Sequence, residues 1–429
     1  MFGRAPFLIL MSLCLQVLAQ STSSARTVTV DARVFPGLAF ADGNWSALFV
    51  GSDGEVYIGL AYHGGDGHLV YYDPGTDSMH DTGPLTALCG EQFLHRGPQS
   101  KIHVKFGEGK DGRIYFATHY GLDFNFARFA TKFGYPGSHF MAFDPKEKRV
   151  VNFGLGVPWQ GLVTGNYDPL YNRIYGITDP FGQFVYYDVA SRKVVNMGRF
   201  NNPESLCRTV GIDERGNVYG SFGQGQIFRY DPRTDSLREL RLRLPIREKG
   251  ISLGRDYNKS ETAWRVVVWD RETKRFYGVE ESASILFSFD PSAGEEGTIR
   301  RLGQMCIQGY ENRRDVPFAT LSLTIGKDRK LYYAAAGREF DYSGSAGLAT
   351  SHLITYDLKT EKVEDLGEMH LTDGRRVIGT NSAHTAPDGT IYFVGAIEVR
   401  PEQGKAVEAA GTIGDTYYRL ALIIYHPGK

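Results

Sequence analysis

Residues 101–120 read KIHVKFGEGKDGRIYFATHY: an alternating apolar run, a Gly-Lys-Asp-Gly turn and a second alternating run. Alternation on both sides of an Asp-Gly turn predicts a β-hairpin. His103 and His119 both lie eight residues from Asp111, so a hairpin centred there sets them opposite each other. Cross-strand neighbours have Cβ atoms roughly 5 Å apart, so two imidazoles converge on one spot. A bulge over Gly107–Lys110 would slip that register by a residue or more.

The hairpin is one copy of a repeat. Its turn and second strand recur as Asp53-Gly-Glu-Val-Tyr57, Asp111-Gly-Arg-Ile-Tyr115, Tyr171-Asn-Arg-Ile-Tyr175, Arg215-Gly-Asn-Val-Tyr219, Thr273-Lys-Arg-Phe-Tyr277, Asp328-Arg-Lys-Leu-Tyr332 and Asp388-Gly-Thr-Ile-Tyr392. Third strands end at Tyr72-Asp73, Phe143-Asp144, Tyr187-Asp188, Tyr230-Asp231, Phe289-Asp290, Tyr356-Asp357 and Tyr425-His426. Four strands per unit, repeated seven times, predict an all-β fold: a seven-bladed β-propeller with four-stranded blades. The last unit stops at its third strand, while a strand-like run, residues 27–34, precedes the first. That N-terminal strand is expected to complete the last blade and close the ring, leaving no open edge.

Composition agrees with many short strands: 51 Gly, 25 Tyr and 26 Phe in 429 residues. Residues 1–19 have a basic start, an apolar core and Val17-Leu18-Ala19 at the end, the pattern of a signal peptide. Residues 20–429 are expected to form a single domain, secreted or periplasmic, with no membrane span. Beyond the leader only Cys89, Cys207 and Cys306 remain, so at most one disulfide forms within the chain and stability rests on the core. The net charge of −1 gives no global field toward nucleic acid.

In a propeller the inner strand starts, and the second strand ends, on the same face. That face collects the long inserts at 120–137, 243–262, 337–351 and 397–416. It also collects His103, His119, His63, Asp179, Arg208, Gln224, Arg265, Glu280, Arg338 and His384. Several cations over a funnel suit an anionic ligand, and arginine grips a carboxylate through parallel hydrogen bonds. Paired histidines divide into one base and one proton carrier. With a carboxylate neutralised, such a group acidifies the adjacent C–H, and a tyrosine hydroxyl can protonate the leaving oxygen. No Gly-rich phosphate loop followed by a helix and no Gly-x-Ser-x-Gly elbow is present.

Lys101-Ile-His103, the Asp111–His119 hairpin and Cys207-Arg-Thr-Val-Gly-Ile-Asp213 resemble the seven-bladed propeller polysaccharide lyases, particularly the ulvan lyases and more distantly the oligogalacturonate lyases. The resemblance implies β-elimination at a uronic acid in an anionic polysaccharide, sulfated or not, by a protein expected to be monomeric. It implies His103 and His119 as the histidine pair, Arg208 as carboxylate neutraliser and Tyr187 as the tyrosine, with Tyr135 in reserve. Tyr135, Arg265, Arg338 and His384 are the expected substrate contacts. Oligogalacturonate lyases bind a metal through histidines, so a divalent cation held by His139 or His384 with His103 or His119 is a further expectation, as is a site at His63–His68. Asp179 and Glu280 could serve a glycosidase. The competing expectation is a non-catalytic propeller that binds a glycan or a protein on the same face.

Overall fold

A computed structural model describes residues 26–94, 96–121, 134–202, 206–245, 262–311, 319–336, 350–413 and 415–428. The expected signal peptide, Arg338 and much of three inserts lie outside the described residues. Within them the chain is all-β apart from one short helix, Leu85–Leu88. No helix among them is long and apolar enough to cross a membrane.

Three of the repeats are locked by their own turn aspartate, which accepts a backbone N–H two residues on and the hydroxyl of the tyrosine four residues on. Asp53 takes Glu55 N at 3.0 Å and Tyr57 Oη at 2.5 Å; Asp111 and Asp328 hold Tyr115 and Tyr332 at 2.9 Å. The residue after it is left-handed throughout: Gly54, Gly112, Gly216 and Gly389 at φ 79–100°, and Asn172, Lys274 and Arg329 at 54°, 54° and 65°. Glycine adopts this region without steric cost and the other three do not, so tertiary pairing must hold them there. The Tyr-Asp ends of third strands form the same kind of turn, as in Asp73 Oδ1 to Gly75 N at 2.8 Å.

The strands assemble into antiparallel sheets of the expected order. Leu48–Val50, Val56–Leu60, His68–Asp73 and Ser78–Pro84 form one four-stranded sheet. Gly211–Ile212 to Ser236–Arg243 and Trp264–Asp270 to Thr298–Gln304 form two others. Val377–Thr385 packs against both Leu323–Ile325 and Leu48–Val50, so the first and last sheets are neighbours. Between sheets the core is largely aromatic: Tyr115 stacks on Tyr167 at 4.4 Å, and Tyr175, Phe184, Phe228, Trp264 and Phe276 are fully buried. Cys89, Cys207 and Cys306 are buried free thiols.

Two features depart from the expected plan. The N-terminal strand Thr27–Val34 pairs antiparallel with Ala421–Ile424 through residues 31–34, as expected. Its first half, however, pairs in parallel with Glu368–Leu371 of the preceding sheet. The last two sheets therefore join into one nine-stranded sheet rather than standing as separate blades. A strand this long reaches two sheets because they diverge outward from the shared inner edge. The second departure, in the His103 strand, is described with the site.

Val30 is 2% exposed among Met369, Leu371 and Ile423 at this junction, whereas Val34 is 38% exposed. Val30→Ala is expected to cost about 1–3 kcal/mol in urea unfolding and Val34→Ala less than about 0.5; equal effects would show that the N-terminal strand does not hold the junction.

Candidate functional site

The Lys101–Tyr120 hairpin has two registers. Gly107 pairs with Tyr115 and Glu108 with Ile114, the register that would set His103 opposite His119. Further up, Lys101 pairs with His119 and Ile102 with Thr118, a slip of two residues. In between, Val104 and Lys105 leave the hairpin and pair in parallel with Gly165 and Asn166 of the next sheet. His103 thus sits in a break, facing inward from a strand that changes partner.

The break brings the imidazoles together even though they are not opposed, with ring centroids 5.0 Å apart. His103 stacks on Trp45 at 5.5 Å, and its Nδ1 lies 2.7 Å from the Val163 carbonyl. A carbonyl only accepts, so Nδ1 carries the hydrogen; in the neutral ring Nε2 then has the free lone pair. His119 packs on the Tyr120 ring at 4.2 Å, and its buried Nδ1 has no partner among the described residues. Both histidines are pushed well below the usual imidazole range, first by burial and then by the neighbouring cations Lys101 and Arg208.

Around them are two relays and a free cation. Lys101, 5% exposed, places Nζ 3.3 Å from His63 Nε2, and His63 Nδ1 lies 2.8 Å from Asp42 Oδ1. Burial lowers Lys101 to about 8, with Arg208 adding to the shift. The Tyr120 hydroxyl donates to Asp179, whose carboxyl is raised by burial against the opposing pull of Tyr120 and Arg208. Arg208 is anchored by its backbone N–H to the Trp264 carbonyl at 3.1 Å. Its half-buried guanidinium enters no ion pair among the described residues, leaving it available to an anion.

Several expected site residues lie elsewhere. Tyr187 is in the inter-sheet core, stacked on Phe140 at 5.0 Å and Phe153 at 5.5 Å, because the repeated Tyr-Asp position faces the neighbouring sheet. Tyr135 donates to Gln99 Oε1 at 2.7 Å and touches the site only through the edge of Tyr120, at 5.2 Å. Arg265 is committed to an ion pair with Glu281 at 2.9 Å, both members being nearly buried, and donates to the Ala319 carbonyl at 2.9 Å. His384 contacts Phe49 farther along the inner strand, near Lys105, and burial lowers it to about 3. His139 lies between Glu91 at 2.9 Å and Asn152 at 3.0 Å, away from the pair. His68 turns away from His63 to Asp81 at 3.0 Å. No three His, Cys, Asp or Glu side chains among the described residues converge as for a metal ion. Glu280 is fully buried and caps its own turn through Ser282 and Ala283, not a partner of Asp179.

Conversely, Lys101, Tyr120 and Asp42 belong to the site and were not singled out by sequence. Lys101 and Tyr120 begin and end the quoted hairpin; adjacency to the histidines was the available signal. Asp42 precedes the first repeat and carried none.

No family model matches the chain, and no curated protein matches it. Solved structures match across the whole fold. The extracellular domain of a hybrid two-component system from B. thetaiotaomicron is 12% identical, with a TM-score of 0.52 over 92% of this chain and 39% of that one, so this chain spans well under half of its length. The RRP9 WD40 repeats are 11% identical, TM-score 0.52, over 93% and 98%; U3-55K is 11% identical, TM-score 0.53, over 92% and 98%. These likenesses establish a β-propeller-like fold.

A Cβ on Gly161 would lie 2.0 Å from His119 Nδ1, whereas one on Gly379 meets nothing within 4 Å. Gly161→Ala is expected to displace the His119 imidazole, seen as a shift of its ring resonances in NMR, and Gly379→Ala to leave them unmoved. Because His103 and His119 stay neutral when folded, the unfolded chain gains protons first as pH falls below about 6.5. Stability is therefore expected to drop with acidification, each group contributing up to about 1.4 kcal/mol per pH unit. His119→Gln should make that decline shallower in chemical denaturation; an unchanged slope would mean that the ring protonates in the native state.

Proposed function

We propose that the chain is a secreted or periplasmic polysaccharide lyase built on seven four-stranded blades, cleaving a uronic-acid-containing glycan by β-elimination. The observation that carries this reading is a free lone pair on buried, neutral His103 near Arg208, a cation without an ion pair among the described residues. Arg208 would bind the uronate carboxylate and draw charge from the adjacent carbon. His103 Nε2 would then take the proton on that carbon, the electron pair would form the carbon–carbon double bond, and the glycosidic C–O bond would break. Tyr120 takes the place expected for Tyr187: its ring packs on His119 at 4.2 Å and its hydroxyl is held by Asp179. It would protonate the leaving oxygen. Interactions of this kind contribute most when water is excluded.

A second reading has its own support. His103 and His119 are only 6% and 3% exposed, and a face with a free arginine and buried histidines also suits a module that binds an anionic glycan without cleaving it.

Incubation with ulvan and other uronate glycans, followed by ultraviolet absorbance of the conjugated unsaturated product, separates the two. The lyase reading expects a rise that His103→Ala abolishes and that Arg208→Ala slows by about 10²–10³-fold. Binding without any rise, by folded protein, would favour the non-catalytic module.

A further inference from the structure

The eliminative scheme leaves one cluster unused: Asp42, His63 and Lys101. The three residues come from different parts of the chain and meet in line. His63 Nδ1 faces the Asp42 carboxylate at 2.8 Å, and the His63 backbone N–H donates to the other carboxylate oxygen at 3.0 Å. With Nδ1–H given to Asp42, Nε2 presents its lone pair to Lys101 Nζ at 3.3 Å. An acid orients a base, and the base addresses an amine, which is the arrangement that frees a nucleophile from its proton.

The surroundings weaken the hold of the amine on its proton. Lys101 is 5% exposed and has no carboxylate within ion-pairing distance among the described residues, while the Trp45 face at 5.7 Å offers the charged form only a weak cation–π contact. Of the groups facing it, Arg208 opposes its charge, whereas Asp179, engaged by Tyr120, and Asp42, engaged by His63, favour it more weakly than burial disfavours it. A desolvated lysine beside another cation is the kind that reacts with carbonyls near neutral pH.

We infer that Lys101 is a reactive amine that forms an imine with a small 2-oxo acid, whose carboxylate sits on Arg208. His63 takes a proton from the Lys101 ammonium. The amine then attacks the ketone carbon, a C–N bond forms and the carbonyl electron pair goes to oxygen, which is protonated. Loss of one water leaves the C=N bond. The inference shares Arg208 with the proposed elimination but needs no glycan and no cleavage, so either can fail alone.

The test is reductive trapping of the full chain with pyruvate and cyanoborohydride, which delivers hydride to the imine carbon and leaves a stable secondary amine. Peptide mass mapping is expected to place one adduct on Lys101, at least tenfold faster with pyruvate than with acetone. The rate should rise through about pH 8, below the ordinary lysine value of 10.5. Lys101→Gln should remove the adduct; His63→Gln, which keeps the amine, should slow trapping at neutral pH and lose that difference at high pH. Circular dichroism confirms folding of both. Adducts spread over surface lysines, equal rates with acetone, or trapping unaffected by His63→Gln would overturn the inference.

Discussion

Val104 and Lys105 take their backbone pairing from the neighbouring sheet instead of from their own hairpin, and the site follows from that exchange. Inner strands of adjoining sheets converge toward a common centre, where the sheets are close enough to compete for the same N–H and C=O groups. An inner strand that changes partner keeps its backbone satisfied, as buried polar groups require. It also releases the residue before the switch from its register. His103 is that residue, and its ring reaches Val163 of the next sheet and His119 of its own.

Electrostatics at this point are governed by burial. Three kinds of basic group lie close together, and a low-polarity setting makes like charges repel strongly. The histidines respond by losing affinity for protons, and Lys101 moves toward neutrality. Arginine cannot follow them, because its guanidinium keeps its charge in proteins. The result is a pair of neutral histidines beside a lysine with a weakened hold on its proton and a persistent cation, Arg208, which differs from a merely positive surface. A carboxylate entering such a site meets its counter-charge without having to compete with a wider field.

The same packing logic explains which side chains stay outside. Arg265 occupies an inner-strand position equivalent to that of His103 when the turns are aligned, yet the neighbouring Glu281 claims it. Tyr187 has the right chemistry but stands on a third strand, whose alternate residues face the next sheet, so its ring is spent on Phe140 and Phe153. Tyr120, one residue beyond the second strand, is free of that demand and turns inward. His384 belongs to an inner strand but about four residues too far along it, so it meets Phe49 rather than the pair.

The repeat was readable from the chain because its cause is local: in three copies an aspartate closes a turn on its own backbone and on a tyrosine four residues later, and the left-handed residue of that turn recurs in all seven. That pattern determined the all-β class, the strand order, the chain-end pairing and the meeting of His103 with His119. What only the tertiary structure decided was partnership across sheets. The pairing of Val104 and Lys105 with Gly165 and Asn166, the contact of Lys101 with His63 and the double pairing of the N-terminal strand all join residues far apart in sequence. Their geometry depends on how closely neighbouring sheets converge, and no local spacing encodes that distance.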